Sequence, residues 1–360
     1  MGRRGGVETV KTLQVGMIGA GQIAPDHIES INRYAGARVV AIADTSARRA
    51  QQRAREFGIP RVYTSAAALI RDPALDAVSI AVPNKFHAAY ACAALAAGKH
   101  VCLDKPFALS AAEARRVLET ARRCRRVFAL AMNWRFQPAA QMARELVRRG
   151  TLGEIYHAQS FILRRSGTPR FGTWFCRRDL AGGGALLDIG VHFLDLCLYL
   201  LDNFEPVAVS GAVYSKFGPR GLGEGTWGMS DRGRMVFDVD DFGTALIKMR
   251  NGATVTLDAS WVLHQEQPDR YNVQLYGTEA GLALIPLRLM RFGKRKGEYA
   301  VTEPQGVPLR YPHCNRFHNW LDAIRGRDEL EVKPEQALAV QSILDAIYRS
   351  ARTGREVRIR

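Results

Sequence analysis

The sequence predicts an α/β protein with a doubly wound parallel sheet at the N-terminus, followed by an α/β domain with a large open, mostly antiparallel sheet. Short apolar runs alternate with longer alanine-rich stretches over the first ~130 residues. Hairpin signals replace this alternation after residue 150. With 360 residues and 47% hydrophobic composition, the chain has enough apolar residues for two cores. We therefore assign residues 1–132 to the first domain and 133–360 to the second.

The first domain alternates predicted strands with predicted helices. The strands are Leu13–Ile18, Ala37–Ala43, Ala77–Val82, His100–Leu103 and Val127–Ala131, and the helices are Gln22–Tyr34, Ser46–Phe57, Ala66–Ile70, Ala88–Ala97 and Ser110–Arg123. This order predicts parallel strands that are joined by crossover helices.

The second domain has longer predicted strands and fewer helices. Asn251-Gly252 predicts a two-residue hairpin turn, and the glycine-rich residues 214–234 predict a long loop that is either a lid or a partner-facing arm. The predicted strands are Ile155–Leu163, Pro206–Val213, Phe242–Met249, Ala253–Val262 and Tyr271–Tyr276, and the predicted helices are Ala185–Leu200 and Glu335–Ala351.

Composition and charge argue against several partner classes. The formal net charge is +16, but the arginines are spread along the chain without a basic stripe that interleaves with aromatics, so no nucleic-acid partner is expected. No apolar run reaches the ~18 residues of a membrane span. Arg3-Arg4 precedes no apolar stretch, so an export signal is not expected either.

The six cysteines contain no Cys-x-x-Cys pair and no zinc-finger spacing. This pattern predicts small core residues in a reducing compartment, and therefore a cytoplasmic protein.

A glycine fingerprint follows the first predicted strand. Gly19, Gly21 and Ala24 form G-x-G-x-x-A, in which the first glycine allows a tight turn and the second lets the backbone approach a pyrophosphate. Gln22 and Ile23 complete the segment as further cofactor-binding candidates. The pattern predicts a Rossmann dinucleotide site, and the alternative is a tight turn that binds no dinucleotide.

Asp44 ends the second predicted strand, 20 residues after Ala24. A carboxylate at this place binds ribose hydroxyls and repels a 2′-phosphate, which favours NAD. Thr45 and Arg49 follow it and are additional cofactor candidates. With Ser46 and Arg48, they keep NADP as a less favoured alternative.

A third group of cofactor candidates follows the predicted strand Ala77–Val82. Pro83 and Asn84 close that strand and His87 opens the next helix. Ligands of doubly wound sheets bind at the carboxyl ends of strands, so these residues are expected near the nicotinamide half. His87 is alternatively a helix-start residue whose ring bonds only the backbone.

Three residues form a proton-handling set. Lys105 follows the predicted strand His100–Leu103, and Asp188 and His192 follow a glycine triplet at a spacing of four, which places them on one helix face. A lysine, a carboxylate and an imidazole at one cleft indicate chemistry that moves protons.

These motifs resemble, in order, those of the Gfo/Idh/MocA family, named for glucose-fructose oxidoreductase, inositol dehydrogenase and a rhizopine catabolism protein. They cover about half of the chain: GAGQIA at 19–24, P-N-x-x-H at 83–87, D-K-P at 104–106, N-W-R-F-Q-P at 133–138, G-x-L-G-E-I at 150–155 and D-x-G-x-H at 188–192. One residue departs from the family pattern, because Asp104 stands where the family usually has glutamate before the lysine. Asp104 stays a cofactor-binding candidate.

The resemblance implies that Lys105, Asp188 and His192 are catalytic, in an oxidoreductase that transfers a hydride between NAD(P) and a secondary alcohol carbon of a sugar, sugar derivative or cyclitol. His192 is the candidate base because its ordinary pKa is near ~6.5. Asp188 is expected to orient substrate hydroxyls. Lys105 is expected to bind the reacting oxygen and also to contact the cofactor.

Further candidates for substrate contacts surround this set. Trp174 is expected to stack on a sugar ring or on the nicotinamide, or else to pack in the core. The full candidate list is Lys105, Arg135, Tyr156, Arg164, Arg165, Trp174, Asp188 and His192. No metal is expected, because Asp188, His192, Asp195, His264, His313 and His318 form no convincing ligand set. A homodimer or homotetramer that packs through the open sheet is expected.

Two other functions stay open. An enzyme that holds NAD tightly can oxidise a sugar transiently and cleave a glycosidic bond without net redox change. A non-catalytic regulator can use the same fold to bind a dinucleotide and a partner.

Overall fold

The computed structural model describes residues 11–230, 235–306, 309 and 315–359. The first domain is built on a parallel sheet with strand order β3-β2-β1-β4-β5-β6, six strands within the described residues. The strands are β1 (Leu13–Ile18), β2 (Ala37–Ala43), β3 (Arg61–Tyr63), β4 (Ala77–Ile80), β5 (His100–Leu103) and β6 (Phe128–Leu130). The order reverses beside β1, which places the carboxyl ends of β1 and β4 at the switch point where such sheets bind ligands.

Helices connect these strands and cover both faces of the sheet. They are α1 (Ala24–Asn32), α2 (Ala47–Phe57), α3 (Ala66–Ile70), α4 (His87–Ala96) and α5 (Ala111–Cys124). Ser46 caps α2 and Ser110 caps α5, each accepting a backbone N–H of the first turn. The predicted doubly wound sheet is confirmed, and β3 is a short additional edge strand.

The second domain contains a mostly antiparallel sheet with order β14-β13-β12-β11-β7-β10-β9-β8-β15, nine strands among the described residues. Its one parallel pair there is β7 with β10. The strands are β7 (Ile155–Arg164), β8 (Pro206–Tyr214), β9 (Phe242–Met249), β10 (Thr254–Ser260), β11 (Asp269–Gly277), β12 (Gly281–Leu284), β13 (Leu287–Phe292), β14 (Tyr299–Thr302) and β15 (Val357–Arg358).

The helices after residue 132 are α6 (Pro138–Arg148), α7 (Arg178–Ala181), α8 (Val191–Leu201), α9 (Arg316–Ile324) and α10 (Pro334–Thr353). Three of them, α6, α8 and α10, pack against this large sheet. A π-helical turn, Leu186–Gly190, precedes α8. Along β9, buried residues alternate with half-buried or exposed ones, so the opposite face of the sheet is open. The predicted open antiparallel sheet is confirmed.

The chain crosses back to the first domain before it ends. Phe317, Trp320 and Leu321 of α9 are fully buried in the same apolar cluster as Val15, Ile28 and other residues of the parallel sheet. The first domain is therefore completed by a segment that lies far beyond residue 132. α10 then packs against β8 and α5.

Candidate active site

A cleft of about 580 Å³ lies at the carboxyl ends of the parallel strands. Both domains line it. Among the predicted site residues that line the cleft are Gly19, Gly21, Gln22, Ile23, Asp44, Thr45, Arg49, Pro83, Asn84, Asp104, Lys105, Arg164, Trp174, Asp188 and His192. The structure thus brings most of the predicted site together in one place.

The glycine turn between β1 and α1 is shaped for the approach of a ligand. Gly19 has φ +102°, and a Cβ there would lie 2.0 Å from the carbonyl oxygen of Ala81, so only glycine fits. A Cβ on Gly21 would meet no atom within 4 Å, which leaves open space beside the start of α1. These two features fit a dinucleotide whose diphosphate approaches the helix N-terminus.

Asp44 is fixed at the opposite wall of this turn. Its Oδ2 accepts the Ala20 N–H at 2.9 Å, and its Oδ1 accepts the Ser46 N–H at 2.7 Å. Arg49 also donates to Oδ1, at 3.1 Å. The carboxylate is therefore rigidly placed at the end of β2, where ribose hydroxyls bind in this fold.

His87 does not reach the cleft, which corrects its prediction as a cofactor contact. Its ring is 1% exposed, and its two nitrogens lie 2.7 Å from Pro106 O and 2.9 Å from Val82 O. Burial is the main cause that lowers the pKa of His87. His87 therefore ties together the two loops that carry Asn84 and Lys105.

Asn84 remains in the cleft wall and bridges the domains. Its Nδ2 donates to Ala181 O at 2.8 Å, while its buried Oδ1 has no hydrogen-bond partner among the described residues. A buried acceptor without a partner is costly, so this oxygen is available to an N–H of a bound ligand.

Lys105 and Asp188 form the centre of the site. The Lys105 Nζ donates to Asp188 Oδ1 at 2.7 Å and to the Asp188 carbonyl oxygen at 2.9 Å. The indole N–H of Trp261 donates to the other carboxylate oxygen of Asp188 at 2.9 Å. Asp188 thus holds the lysine across the domain boundary, and His192 lines the same cleft one turn later.

The charges of this group are set by burial and by Lys105. Burial raises the pKa of Asp188, but the Lys105 ammonium and the hydrogen bonds from Lys105 and Trp261 outweigh it and hold this pKa below its usual range. Burial, aided by the Lys105 charge, lowers the pKa of His192 to about 3. The free site at neutral pH therefore contains a carboxylate and an uncharged imidazole, which is the state that can accept a proton.

Asp240 holds the turn that carries Asp188. This buried carboxylate accepts the Gly184 N–H at 2.7 Å, the Leu186 N–H at 3.1 Å and the Tyr348 hydroxyl at 2.7 Å. A Cβ on Gly184 would lie 1.8 Å from the Asp240 carbonyl oxygen. The glycine triplet thus allows close packing under the turn that carries Asp188 and is not a flexible linker.

Arg135 does not line the cleft, which corrects its prediction as a substrate contact. Its guanidinium is fully buried and binds Asp195 through both carboxylate oxygens, at 2.8 and 2.6 Å. It also donates to Glu331 O and to Gln336 Oε1. None of these partners lines the cleft.

Two weaker candidates also lie elsewhere. Arg165 does not line the cleft, and its side chain donates to Glu266 O. Tyr156 is 55% exposed on the large sheet and is likewise absent from the cleft wall.

Several aromatic rings and the predicted substrate contact Arg164 line the cleft. Trp174 lines the cleft while its ring stacks on Phe175 at 3.9 Å, so the ring contacts both the cavity and a protein neighbour. Arg164 lies beside it, with a weak 3.8 Å contact to Asp269. Trp134 and Trp227 also line the cavity. Flat apolar rings with nearby polar groups suit the faces and hydroxyls of a sugar.

The predicted loop after β8 crosses the cleft. Its described part, up to residue 230, contains a short 3₁₀ turn, Gly218–Arg220, while residues 231–234 lie outside the described residues. The Gly228 N–H donates to Gln22 Oε1 at 2.6 Å, and Trp227, Gly228 and Met229 line the cavity. This contact supports the lid alternative over the partner-facing arm.

Asp241 anchors the beginning of this lid. One of its carboxylate oxygens accepts the backbone N–H groups of Lys216, Phe217 and Gly218, at 2.8, 2.6 and 3.0 Å. Since Asp240 holds the turn that carries Asp188, two adjacent aspartates just before β9 position both this loop and that turn.

Several site residues were not predicted from the sequence. Trp261, Trp227 and Arg316 reach the site from positions with no motif around them. Trp134 lies in the N-W-R-F-Q-P motif, but the sequence analysis did not name it as a site residue. Trp261 lies in the predicted strand Ala253–Val262, but nothing local indicates that its indole meets Asp188. These contacts depend on how the two domains pack.

The described residues contain no group of side chains that could hold a metal, and one long apolar helical stretch. Over the described ranges, no three His, Cys, Asp or Glu side chains form a group that could hold a metal ion. His313 and Cys314 lie outside these ranges. One helical stretch in them, Arg178–Leu201, is long and apolar enough to cross a membrane, but 83% of its apolar window is buried in the protein. It is a core helix.

Comparison with known proteins agrees with this geometry. Residues 13–132 match the profile described as "Oxidoreductase family, NAD-binding Rossmann fold", and residues 140–283 match the "GFO/IDH/MocA C-terminal domain". The chain belongs to the Gfo/Idh/MocA family. The sequence-based prediction of this family is thereby confirmed, together with an NAD(P)-binding Rossmann domain.

Two of the curated relatives are sugar dehydrogenases. D-glucoside 3-dehydrogenase from Escherichia coli (strain K12) is 32% identical over 356 residues, which cover 98% of this chain and 99% of the relative. Levoglucosan dehydrogenase from Pseudarthrobacter phenanthrenivorans is 29% identical and covers 76% of this chain and 73% of its own.

Solved structures share the Gfo/Idh/MocA fold over nearly the whole chain. GenD2 from gentamicin A biosynthesis, in complex with NAD, is 26% identical with a TM-score of 0.78 and covers 99% of both chains. Levoglucosan dehydrogenase in complex with NADH and levoglucosan has a TM-score of 0.83 at 24% identity, covering 97% of this chain and 100% of that one, a likeness that concerns the fold.

Proposed function

We propose that this protein is an NAD-dependent dehydrogenase that oxidises a secondary alcohol carbon of a sugar, sugar derivative or cyclitol, with a glycoside as the first class to test. The observation that carries the proposal is the placement of Lys105, Asp188 and His192 in the cleft that the dinucleotide turn also lines. The similarity to D-glucoside 3-dehydrogenase along almost the whole chain supports a glycoside substrate.

Each residue of the set has a part that follows from its contacts. Lys105, held by Asp188, donates a hydrogen bond to the reacting oxygen and stabilises negative charge that develops there. His192 is uncharged and accepts the hydroxyl proton. Asp188 keeps Lys105 in place and, through its position in the cleft, orients further substrate hydroxyls. NAD, when bound, supplies the acceptor for the hydride.

NAD is favoured over NADP by the carboxylate of Asp44. Its two oxygens are already positioned by Ala20 and Ser46, so a 2′-phosphate would meet a fixed negative charge. Arg49, the cation that could accept that phosphate, donates to this same carboxylate.

The test is absorbance at 340 nm while the purified protein, with NAD or NADP, is offered sugars, sugar acids, glycosides and cyclitols. We expect NADH to accumulate with at least one glycoside or cyclitol, and NADP to be used less well. A protein that binds NAD and cleaves a glycoside with no NADH accumulation would favour redox-neutral hydrolysis. If the protein binds the dinucleotide but neither oxidises nor reduces any of these compounds, the result would favour a regulator.

The lowered pKa of His192 predicts the pH dependence of the reaction. Because this pKa is about 3 in the free protein, His192 stays uncharged as the pH falls through its ordinary value near 6.5. We therefore expect kcat/KM for oxidation to show no His192-dependent loss between pH 7 and roughly pH 5. Initial rates over this range, for the wild type and His192→Asn, test the prediction. A one-proton decrease near pH 6.5 that disappears in the variant would contradict it.

We also propose a homo-oligomer that packs through the open face of the large sheet, in the reducing cytoplasm. Leu246 and Tyr214 are exposed on this face at 40% and 44%, next to polar neighbours. The five cysteines within the described part of the chain are unpaired, which suits a reducing compartment. The molar mass in solution tests the oligomer, and a monomer at micromolar concentration would contradict it.

A further inference from the structure

Arg316 reaches the cleft from a part of the chain that no motif marks. It is the first residue of α9, yet its side chain lines the cavity together with Gly21 and Gln22. Only 13% of this side chain is exposed. Its guanidinium forms an ion pair with Asp26 in the first turn of α1, the helix that follows the glycine turn.

α9 is held firmly on α1 by contacts other than this ion pair. Phe317 is fully buried, with its ring centroid 4.6 Å from that of His27. Asn315 caps the helix by accepting the Phe317 and His318 N–H groups. Two more hydrogen bonds join the elements, Tyr34 OH to Asp322 Oδ1 at 2.6 Å and His318 Nε2 with Ser30 O at 2.9 Å. Arg316 is thus placed by a rigid support.

Stability alone does not account for an arginine at this position. A cation at the first residue of a helix opposes the helix dipole. Its partner Asp26 is 47% exposed, and ion pairs with exposed partners contribute little. The Arg316 Nε is buried and has no hydrogen-bond partner among the described residues, although its guanidinium lies 4.6 Å from the Phe317 ring centroid. The side chain therefore has unused donor capacity at the cleft.

We propose that Arg316 binds the diphosphate of the dinucleotide. The space beside Gly21 is open, and the N-terminus of α1 provides backbone N–H groups for an anion there. A planar guanidinium matches phosphate oxygens and forms strong charge-assisted hydrogen bonds with them. In the free protein Asp26 holds the guanidinium, and the phosphate oxygens replace this exposed carboxylate when the cofactor binds.

This inference rests on the proposed dinucleotide use, and calorimetry with cofactor fragments separates the two. ADP-ribose retains the diphosphate and lacks nicotinamide, while adenosine lacks both. In Arg316→Gln we expect NAD and ADP-ribose to bind about 10- to 100-fold more weakly, by the same factor, with adenosine unchanged. Arg33→Gln is the matched control, since Arg33 is 68% exposed at the far end of α1 and is paired with Glu29. It should bind all three as the wild type does.

Two further variants keep the test independent of folding. Arg316→Lys keeps the charge but not the paired donors, so we expect a smaller loss. Asp26→Asn frees the guanidinium without removing it, so we expect NAD and ADP-ribose to bind at least as tightly as to the wild type. Wild-type affinity of Arg316→Gln for ADP-ribose overturns the inference, as does a loss limited to NAD, which would assign Arg316 to the nicotinamide end. If the wild type itself binds neither NAD nor ADP-ribose, the proposed function fails as well.

Discussion

Replacing Lys105 with alanine is expected to lower kcat for sugar oxidation by about 10³-fold, equivalent to roughly 4 kcal/mol of barrier height. Asp188 holds the Lys105 ammonium directly, through Oδ1 at 2.7 Å and the backbone carbonyl at 2.9 Å. The loss of this ammonium removes the donor to the reacting oxygen. It also removes the Lys105 hydrogen bond to the Asp188 carboxylate, which keeps the one from the Trp261 indole. The measurement is the steady-state rate at 340 nm under saturating NAD.

The control for Lys105→Ala is Lys85→Ala. Lys85 is exposed and follows the neighbouring strand β4 without lining the cleft, so its removal should leave kcat within about twofold. The affinity of Lys105→Ala for NAD should fall far less than kcat, because the fingerprint turn and Asp44, which hold the rest of the dinucleotide, are untouched. Partial rescue by methylammonium would distinguish a missing amine from a damaged fold. A kcat within tenfold of the wild type would refute the assigned role.

Replacing Arg135 with alanine is expected to lower the free energy of unfolding of the second domain by about 3–5 kcal/mol. The reason is that Asp195 is 1% exposed and would keep a buried charge with its main partner gone. Arg135 also donates to Glu331 O and Gln336 Oε1, so its removal opens the junction between α8 and the segment before α10. Urea denaturation, followed by circular dichroism, measures the change.

An exposed ion pair supplies the comparison for Arg135. Arg149 and Glu145 lie 2.7 Å apart on α6 with half-exposed side chains, so Arg149→Ala should change the same free energy by no more than about 0.5 kcal/mol. A substrate-binding role for Arg135 would produce the opposite pattern, with normal stability and a raised KM for the sugar. That pattern would restore the original sequence-based expectation.

The sequence predicted the parallel sheet well because its signals are local. Strands such as β1 and β2 are mostly apolar, with one polar or charged residue each near the start (Gln14 and Arg38), and helices of this domain begin with recognisable caps such as Ser46 and Ser110. The far edge of the large sheet escaped prediction. All four residues of β14 are exposed, so no alternation of buried and exposed residues marks this strand, and its pairing with β13 is the reason it forms.

The candidate site also contains some residues that local sequence signals predict and others that only the folded structure positions. Lys105, Asp188 and His192 were found because each lies in a short motif whose backbone setting is local: the end of a strand, or a glycine triplet before a helix. His87 belongs to such a motif too, but its ring is buried between two carbonyl oxygens, and only the folded loops decide that.

By itself, the sequence determined the family and the dinucleotide turn, and it named the residues that we propose handle protons, since these inferences depend on the type and spacing of neighbouring residues. The tertiary structure alone decided which arginines serve the cleft. Arg135 lies inside a family motif and is fully buried against Asp195, whereas Arg316 has no motif and lines the cavity. The physical reason is that an arginine binds whichever carboxylate or anion the fold brings within reach, and for Arg316 that partner is Asp26, 290 residues away.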